Sequence, residues 1–235
     1  MVRVLLDYDG TLHDCLKIYA PAFQRAYQTL VDGGFRPPKD WRPQELAGWV
    51  GMSPKDMWAE FAPDLPEKLR EQCSQIIFQE MLRRTAGGGA ELYPGVPALL
   101  ERLKNEGYSL ILLSNCQRRY LEVHRRRFSL DRHFDGFYCT EDYGWPAKWE
   151  LFPAIRREFP GEYIVVGDRS SDLEIARRHH LPSVGCAYGY GGREEMTGAS
   201  ARIQRPEELE HISSGSSYIY FVGETPASGE PRVWQ

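Results

Sequence analysis

No stretch of the 235-residue chain approaches the roughly 20 consecutive apolar residues needed to cross a bilayer, so no membrane span is expected. Positive charge is not in excess either. The net charge is −4, which leaves no overall basic field to gather nucleic acid, and nucleic acid is not an expected partner. The five cysteines (Cys15, Cys73, Cys116, Cys139 and Cys186) contain no CxxC pair and no metal-ligand spacing, and their odd number does not complete a disulfide framework. They read as small buried thiols in a reducing compartment. The N-terminus lacks a secretory-leader pattern and begins on a strand-like run. A soluble, cytoplasmic protein is the expectation, and no internal repeat is visible.

What is present is a core-forming composition, 42% hydrophobic and 26% charged, ordinary for a globular protein of this length. Five short apolar runs bounded by turn residues read as buried parallel strands: "VRVLLDY" at 2–8, "YSLILLSN" at 108–115, "FDGFYCT" at 134–140, "YIVVGD" at 163–168 and "PSVGCAY" at 182–188. Helical patterns separate the later ones, among them "VPALLERLKNEG", closed by Gly107, and "LEVHRRRF", "WELFPAIRREF" and "SDLEIARRHH". Strands alternating with helices predict an α/β fold, a Rossmann-like open parallel sheet covered on both faces.

Residues 14–90 break the alternation. They contain helical stretches and no convincing strand, and they end at Gly87-Gly88-Gly89, a composition suited to a flexible joint. The expected organisation is a core of residues 1–13 and 91–212, a helical cap inserted at 14–90, and a Ser-, Gly- and Pro-rich tail at 213–235 of unassigned role, either partly disordered or an added edge strand.

In an open α/β sheet, ligands bind beyond the carboxyl ends of the strands. The first strand delivers Asp7 and Asp9 there, the second Ser114 and Asn115, and the fourth Asp168, with Asp172 at the start of the next helix; Lys148 lies in the loop region after the third. Three or four carboxylates converging on one crevice repel one another unless a cation sits among them. Hard oxygen donors beside a serine and a lysine favour Mg²⁺, which keeps waters for a phosphate.

"DYDGTL", "LLSN", the isolated Lys148 and "VVGDRSSD" occur in the order and spacing of four motifs, and the chain thereby resembles the haloacid dehalogenase superfamily over about residues 1–212. The inserted helices resemble its C1-capped branch. "YPGV", "KWEL", "VGCAYGYGGREEM" and "RPEEL" resemble the phosphoglycolate-phosphatase-like members. This resemblance implies a phosphatase acting on a small phosphorylated metabolite, either phosphoglycolate-like or a nucleotide monophosphate. Asp7 would attack phosphorus to give an aspartyl-phosphate, and Asp9 would protonate the leaving oxygen and later deprotonate water. Mg²⁺ would be held by Asp7, the Asp9 backbone carbonyl and Asp168. Ser114, Asn115 and Thr11 would serve the phosphoryl group, with Thr11 also orienting Asp9. Lys148 would offset phosphoryl charge, and Asp172 would hold Lys148 or a metal-bound water. Dehalogenases and phosphonate hydrolases of the superfamily lack an acid at position 9, so Asp9 favours phosphate esters. A β-phosphoglucomutase-like sugar-phosphate mutase and a catalytically idle binding protein are the alternatives. Oligomeric state is left open.

Each of these residues also has a plainer reading. Asp7 and Asp9 could form a surface turn, Ser114 and Asn115 could end a strand and cap a helix, Lys148 could be solvated, and Asp172 could be a helix-dipole charge. Trp49 and Met52 divide between cap core and a substrate-facing loop. Tyr188 and Tyr190 read as loop packing, "HRRRF" at 124–128 as a solvated helix face, and Cys116 as a buried residue rather than a nucleophile.

Overall fold

The structure is a computed structural model and describes residues 1–211; the expected tail at 213–235 lies outside the described residues. Six strands form one sheet: β1 (Val2–Leu6), β2 (Ser109–Ser114), β3 (Phe134–Cys139), β4 (Glu162–Gly167), β5 (Ser183–Cys186) and β6 (Ala201–Ile203). Their order is β3-β2-β1-β4-β5-β6 and every pairing is parallel. The five expected strands are all present. The sixth has three residues, too short for periodicity to separate it from a loop.

Alternate residues of the strands feed two cores. Val4 and Leu6 of β1, with Leu110 and Leu112 of β2, pack under α5 (Val96–Asn105) and α6 (Arg118–Phe128) through Leu99, Leu103, Tyr120 and Leu121. Leu5, Ile111 and Val165 face the other way, onto Leu151, Phe152 and Ile155 of α7 (Lys148–Glu158) and Ile175 of α8 (Ser170–His179). Burying each such leucine or isoleucine contributes about 1.5–3 kcal/mol, so register is firmly set: a one-residue slip would exchange the two faces.

Between β1 and β2 the chain forms α1 (Leu16–Asp32), the short α2 (Pro43–Leu46), α3 (Pro54–Phe61) and α4 (Glu67–Ala86). These helices bury a third cluster of their own, in which Phe23, Tyr27 and Leu30 of α1 meet Cys73 and Ile77 of α4. The chain leaves and re-enters the sheet region through two adjacent connections. The Tyr93 N–H donates to the Leu12 carbonyl (2.9 Å), and the Asp14 N–H donates to the Glu91 carbonyl (3.0 Å). Gly87, Gly88 and Gly89 close α4, their N–H groups donating to the carbonyls of Arg83, Thr85 and Arg84. No helix among the described residues is long and apolar enough to cross a membrane.

Candidate active site

The chain runs from β1 outward to β2 and β3, then returns to place β4 on the other side of β1. That reversal makes the crevice beyond β1 and β4 the natural ligand site of the sheet. β1 ends at Leu6 and β4 at Gly167, so Asp7 and Asp168 emerge side by side. The Asp7 N–H still donates to the Val166 carbonyl at 2.9 Å, which fixes its position by the ladder. Beyond Asp7 the chain folds back sharply, with the Tyr8 carbonyl accepting the N–H groups of Leu12 and His13 at 2.8 and 2.9 Å. Gly10 takes a φ of +94°, and a Cβ there would lie 2.7 Å from Oδ1 of Asp168. Both the turn and the neighbouring carboxylate therefore require glycine.

Asp168 is fully buried. Its Oδ1 accepts the Thr11 hydroxyl (3.1 Å), and its Oδ2 accepts the N–H groups of Tyr190 (2.7 Å) and Gly191 (3.3 Å). The sequence led us to expect the Thr11 hydroxyl on Asp9 or the phosphoryl group. Its partner is Asp168 instead, because the tight turn carries a fully buried Thr11 toward β4. Tyr188 and Tyr190 fasten the loop after β5. The Tyr188 hydroxyl donates to the Thr11 carbonyl (2.7 Å), while that of Tyr190 donates to Asp14 (2.9 Å) and accepts the Leu16 N–H (3.0 Å).

Lys148 begins α7, and Asp172 sits in the first turn of α8, where its Oδ2 accepts the Arg169 N–H at 3.0 Å. The two readings of Asp172 thus hold together: it caps a helix, and its Oδ1 lies 2.6 Å from Nζ of Lys148. The same ammonium is 2.5 Å from Oδ1 of Asp7. Burial, and then the charge of Asp172, push Asp7 well above the usual carboxylate range, against the opposing pull of Lys148. Burial and Asp172 likewise raise Asp168 to about 7. Burial alone would lower Lys148, but Asp172 and Asp7 outweigh it and hold the ammonium charged.

Oxygens of Asp7, Asp168 and Asp172 lie within 4.8 Å of one another. One ammonium does not neutralise three carboxylates, and the repulsion among them adds to burial in raising Asp7 and Asp168. Such a set of hard oxygen donors fits Mg²⁺. All three carboxylates hold hydrogen bonds; Asp7 and Asp168, which emerge from adjacent strands and are both held above the usual carboxylate range, are the ligand candidates.

Asp9 faces a different environment. Its Oδ1 accepts the Tyr120 hydroxyl at 2.7 Å and lies 2.7 Å from Nδ1 of His13. Burial works to raise Asp9, but the hydrogen bond and charge of His13, followed by His124 and Tyr120, hold it below the usual range. Behind this pair, the Tyr8 hydroxyl meets Nδ1 of His124 at 2.8 Å and Thr85 meets its Nε2 at 3.1 Å. The Thr85 hydroxyl donates to the Met81 carbonyl, so it accepts from Nε2–H and leaves Nδ1 of His124 to accept from Tyr8. This corrects the expected solvated face at 124–128. Arg126 and Arg127 are exposed, whereas His124 points inward and is fully buried.

Ser114 ends β2 and is buried. It lines one small hollow together with Asp7, Asp9, Asn115, Lys148 and Arg169. Both ends of the Asn115 side chain are engaged: Oδ1 accepts the Thr140 hydroxyl (2.6 Å) and Nδ2 donates to the Gly51 carbonyl (2.9 Å). Sequence reasoning did not find Tyr120 or Arg169. Tyr120 is 111 residues from its partner Asp9, and nothing in its local pattern distinguishes it from a core aromatic. Arg169 did carry a signal, an arginine directly after a strand-ending aspartate. Its guanidinium reaches the carbonyls of Gly48 (3.2 Å) and Val50 (2.9 Å) and the Glu195 carboxylate (3.0 Å).

The haloacid dehalogenase-like hydrolase family model matches residues 4–186, a span that takes in Asp7, Asp9, Ser114, Lys148, Asp168 and Asp172. The chain is a haloacid dehalogenase-like hydrolase. This hydrolase is 25% identical over 223 residues to a phosphoglycolate phosphatase of Synechococcus elongatus, covering 89% of this chain and 95% of that one. It is 29% identical over 125 residues to a 5'-nucleotidase of Pseudomonas aeruginosa, across 51% of this chain and 56% of that one. Its fold is that of a haloacid dehalogenase-like protein from Streptococcus pneumoniae, with a TM-score of 0.74 at 21% identity over 88% and 96% of the two chains.

Proposed function

We propose that this hydrolase is a Mg²⁺-dependent phosphatase that cleaves a small phosphate monoester through an aspartyl-phosphate on Asp7. The observation that carries the reading is the division of labour between two carboxylates separated by one residue. Asp7 is oriented by Lys148 and clustered with other acids, whereas Asp9 is held by His13 and Tyr120. Relatives named phosphoglycolate phosphatase and 5'-nucleotidase support phosphate esters as the substrate class.

In this mechanism an Asp7 oxygen attacks phosphorus and the ester P–O bond breaks. The departing alkoxide takes its proton from Asp9. Asp9 is ionised in the resting site, and the negative phosphoryl group arriving beside it favours its acid form. Asp9 then accepts a proton from water as that water attacks the phosphorus of the intermediate, which releases phosphate and restores Asp7. Lys148 keeps Asp7 oriented and offsets phosphoryl charge, and Ser114 binds a phosphoryl oxygen. Asp7, Asp168 and the Asp9 backbone carbonyl would hold Mg²⁺, which when bound relieves the repulsion among the acids and draws charge from the phosphoryl oxygens.

The test is phosphate release from a panel of monoesters, with Mg²⁺ and with chelator, for the wild type beside Asp7→Asn. Release that depends on both the cation and Asp7 supports the reading. Turnover retained by a folded Asp7→Asn protein removes Asp7 as the nucleophile.

A further inference from the structure

A second and larger cavity, about 130 Å³ in volume, adjoins the hollow over Asp7. The two share Asp9, Gly51 and Asn115 in their walls. A phosphoryl group seated over Asp7 therefore places its ester oxygen at Asp9 and its organic part in this second cavity. The walls come from the inserted helices and their loop (Trp49, Met52, Met57 and Phe78) and from Tyr120 and Trp145 of the sheet region. Its volume is close to the ~150 Å³ of an apolar protein cavity that takes up benzene.

None of the described residues lining this cavity is a lysine, arginine or histidine, and Asp9 is its sole charged group. A carboxylate placed here would be desolvated beside Asp9 with no compensating cation. The two cations on the phosphate side are committed elsewhere. Lys148 lies between Asp7 and Asp172, and Arg169 holds Glu195 and the carbonyls of Gly48 and Val50.

The rim of the cavity supplies an independent observation. Trp145 has a φ of +63° although it is neither glycine nor asparagine, and it follows Gly144, also left-handed at +80°. This conformation holds the indole at the cavity rim with 37% of the residue exposed. Backbone strain at a bulky aromatic tends to persist where a ligand site uses the side chain.

We propose that the substrate is the phosphate ester of an uncharged alcohol bearing a compact apolar or aromatic group, seated between Met57 and Trp145, and not an anionic ester of the phosphoglycolate type. This inference rests on the phosphatase reading and narrows it. It separates the chain from the activity in the name of its Synechococcus relative, from which three quarters of the aligned residues differ.

The experiment is a comparison of kcat/KM for benzyl phosphate and phosphoglycolate in the full chain with Mg²⁺, with p-nitrophenyl phosphate as a general readout of phosphatase activity. Benzyl phosphate is expected to be preferred at least about tenfold, the scale on which an apolar pocket discriminates. Met52→Arg, which adds a cation at a half-buried position of the wall, should shrink or invert that preference. Trp145→Ala should lower kcat/KM for the benzyl ester several-fold more than for phosphoglycolate. Equal or better turnover of phosphoglycolate by the wild type overturns the substrate inference and leaves the phosphatase reading standing. So does turnover of p-nitrophenyl phosphate with neither of the other two esters, because its activated leaving group departs without help from the pocket. Failure of all three esters with a folded protein overturns both.

Discussion

The ammonium of Lys148 lies 2.5 Å from one carboxylate oxygen of Asp7, inside a pocket that leaves the lysine 5% exposed. The α7 N-terminus positions the lysine, and Asp172 in the first turn of α8 holds it from the other side at 2.6 Å. Lys148→Met should lower kcat by about 10²–10³, the range observed when one preorganised charge-stabilising donor is removed. Lys148→Arg should not restore it, because a planar guanidinium does not fit between two carboxylates spaced for one nitrogen. Steady-state kinetics beside a far-ultraviolet circular dichroism spectrum checks both, and wild-type rates in either variant would remove Lys148 from the reaction.

Asp9 is expected to matter in proportion to how badly the leaving group needs a proton. Asp9→Asn should cost about 10²–10⁴ in turnover of alkyl phosphates, the usual reach of general acid catalysis. The loss should be much smaller for p-nitrophenyl phosphate, whose leaving group departs as an anion. Tyr120→Phe and His13→Phe each remove a group in hydrogen-bond contact with Asp9 and should show the same selectivity in weaker form. Equal losses on both ester types would contradict an acid role.

Cation binding is expected to be visible without turnover. Mg²⁺ at about 100 times its Kd should stabilise the folded protein by ~2.7 kcal/mol, read as a rise in thermal midpoint. Asp168→Asn should abolish that rise and Thr11→Val should reduce it, since Thr11 holds one oxygen of Asp168. Gly189→Ala should abolish it as well, because a Cβ there would run into Asp168 and come within 2.5 Å of the Gly10 carbonyl. Chelator should reverse the wild-type shift, and an unchanged midpoint across a Mg²⁺ titration would argue against the cation site.

His124 should make stability depend on pH. Burial, and then the charge of His13, depress it to about 3, against an ordinary value of roughly 6.5 in the unfolded chain. Between those values the unfolded chain binds a proton that the folded protein does not. Stability therefore falls as pH falls through that window, by up to about 1.4 kcal/mol per pH unit from this one group. Urea midpoints from pH 7 to pH 5 should fall less steeply in His124→Gln than in the wild type. Parallel slopes would exonerate His124.

The parts of the fold and site that could be read from sequence are those with local signatures. Apolar runs ending in aspartate marked β1 and β4, and the parallel sheet then brings Asp7 and Asp168 together. Ser114 followed the same logic at the end of β2, whereas Lys148 was expected in a loop and singled out through the family resemblance; it begins α7 instead. The environment of Asp9 was not legible. It depends on Tyr120 and His124, which are far along the chain and occur in a helix whose arginines dominate its composition. Thr11 was misdirected because a tight turn rotates its hydroxyl toward β4, a fact of backbone geometry that residue order does not carry. Trp49 and Met52, divided between cap core and a substrate-facing loop, pack against the helical cluster and also line the larger cavity.

The loop at 47–53 is tethered to the sheet region by side chains that line the hollow over Asp7. Asn115, next in sequence to Ser114, donates to Gly51, and Arg169, next in sequence to Asp168, donates to Gly48 and Val50. Any motion that lifts this loop hands all three bonds to water at once, at roughly 0.5–1.5 kcal/mol apiece. Together the three bonds favour the docked position of the loop over a lifted one. On the proposed aspartyl-phosphate route, variants at Asn115 or Arg169 should quicken the exchange of product for substrate while letting stray nucleophiles reach the intermediate more easily.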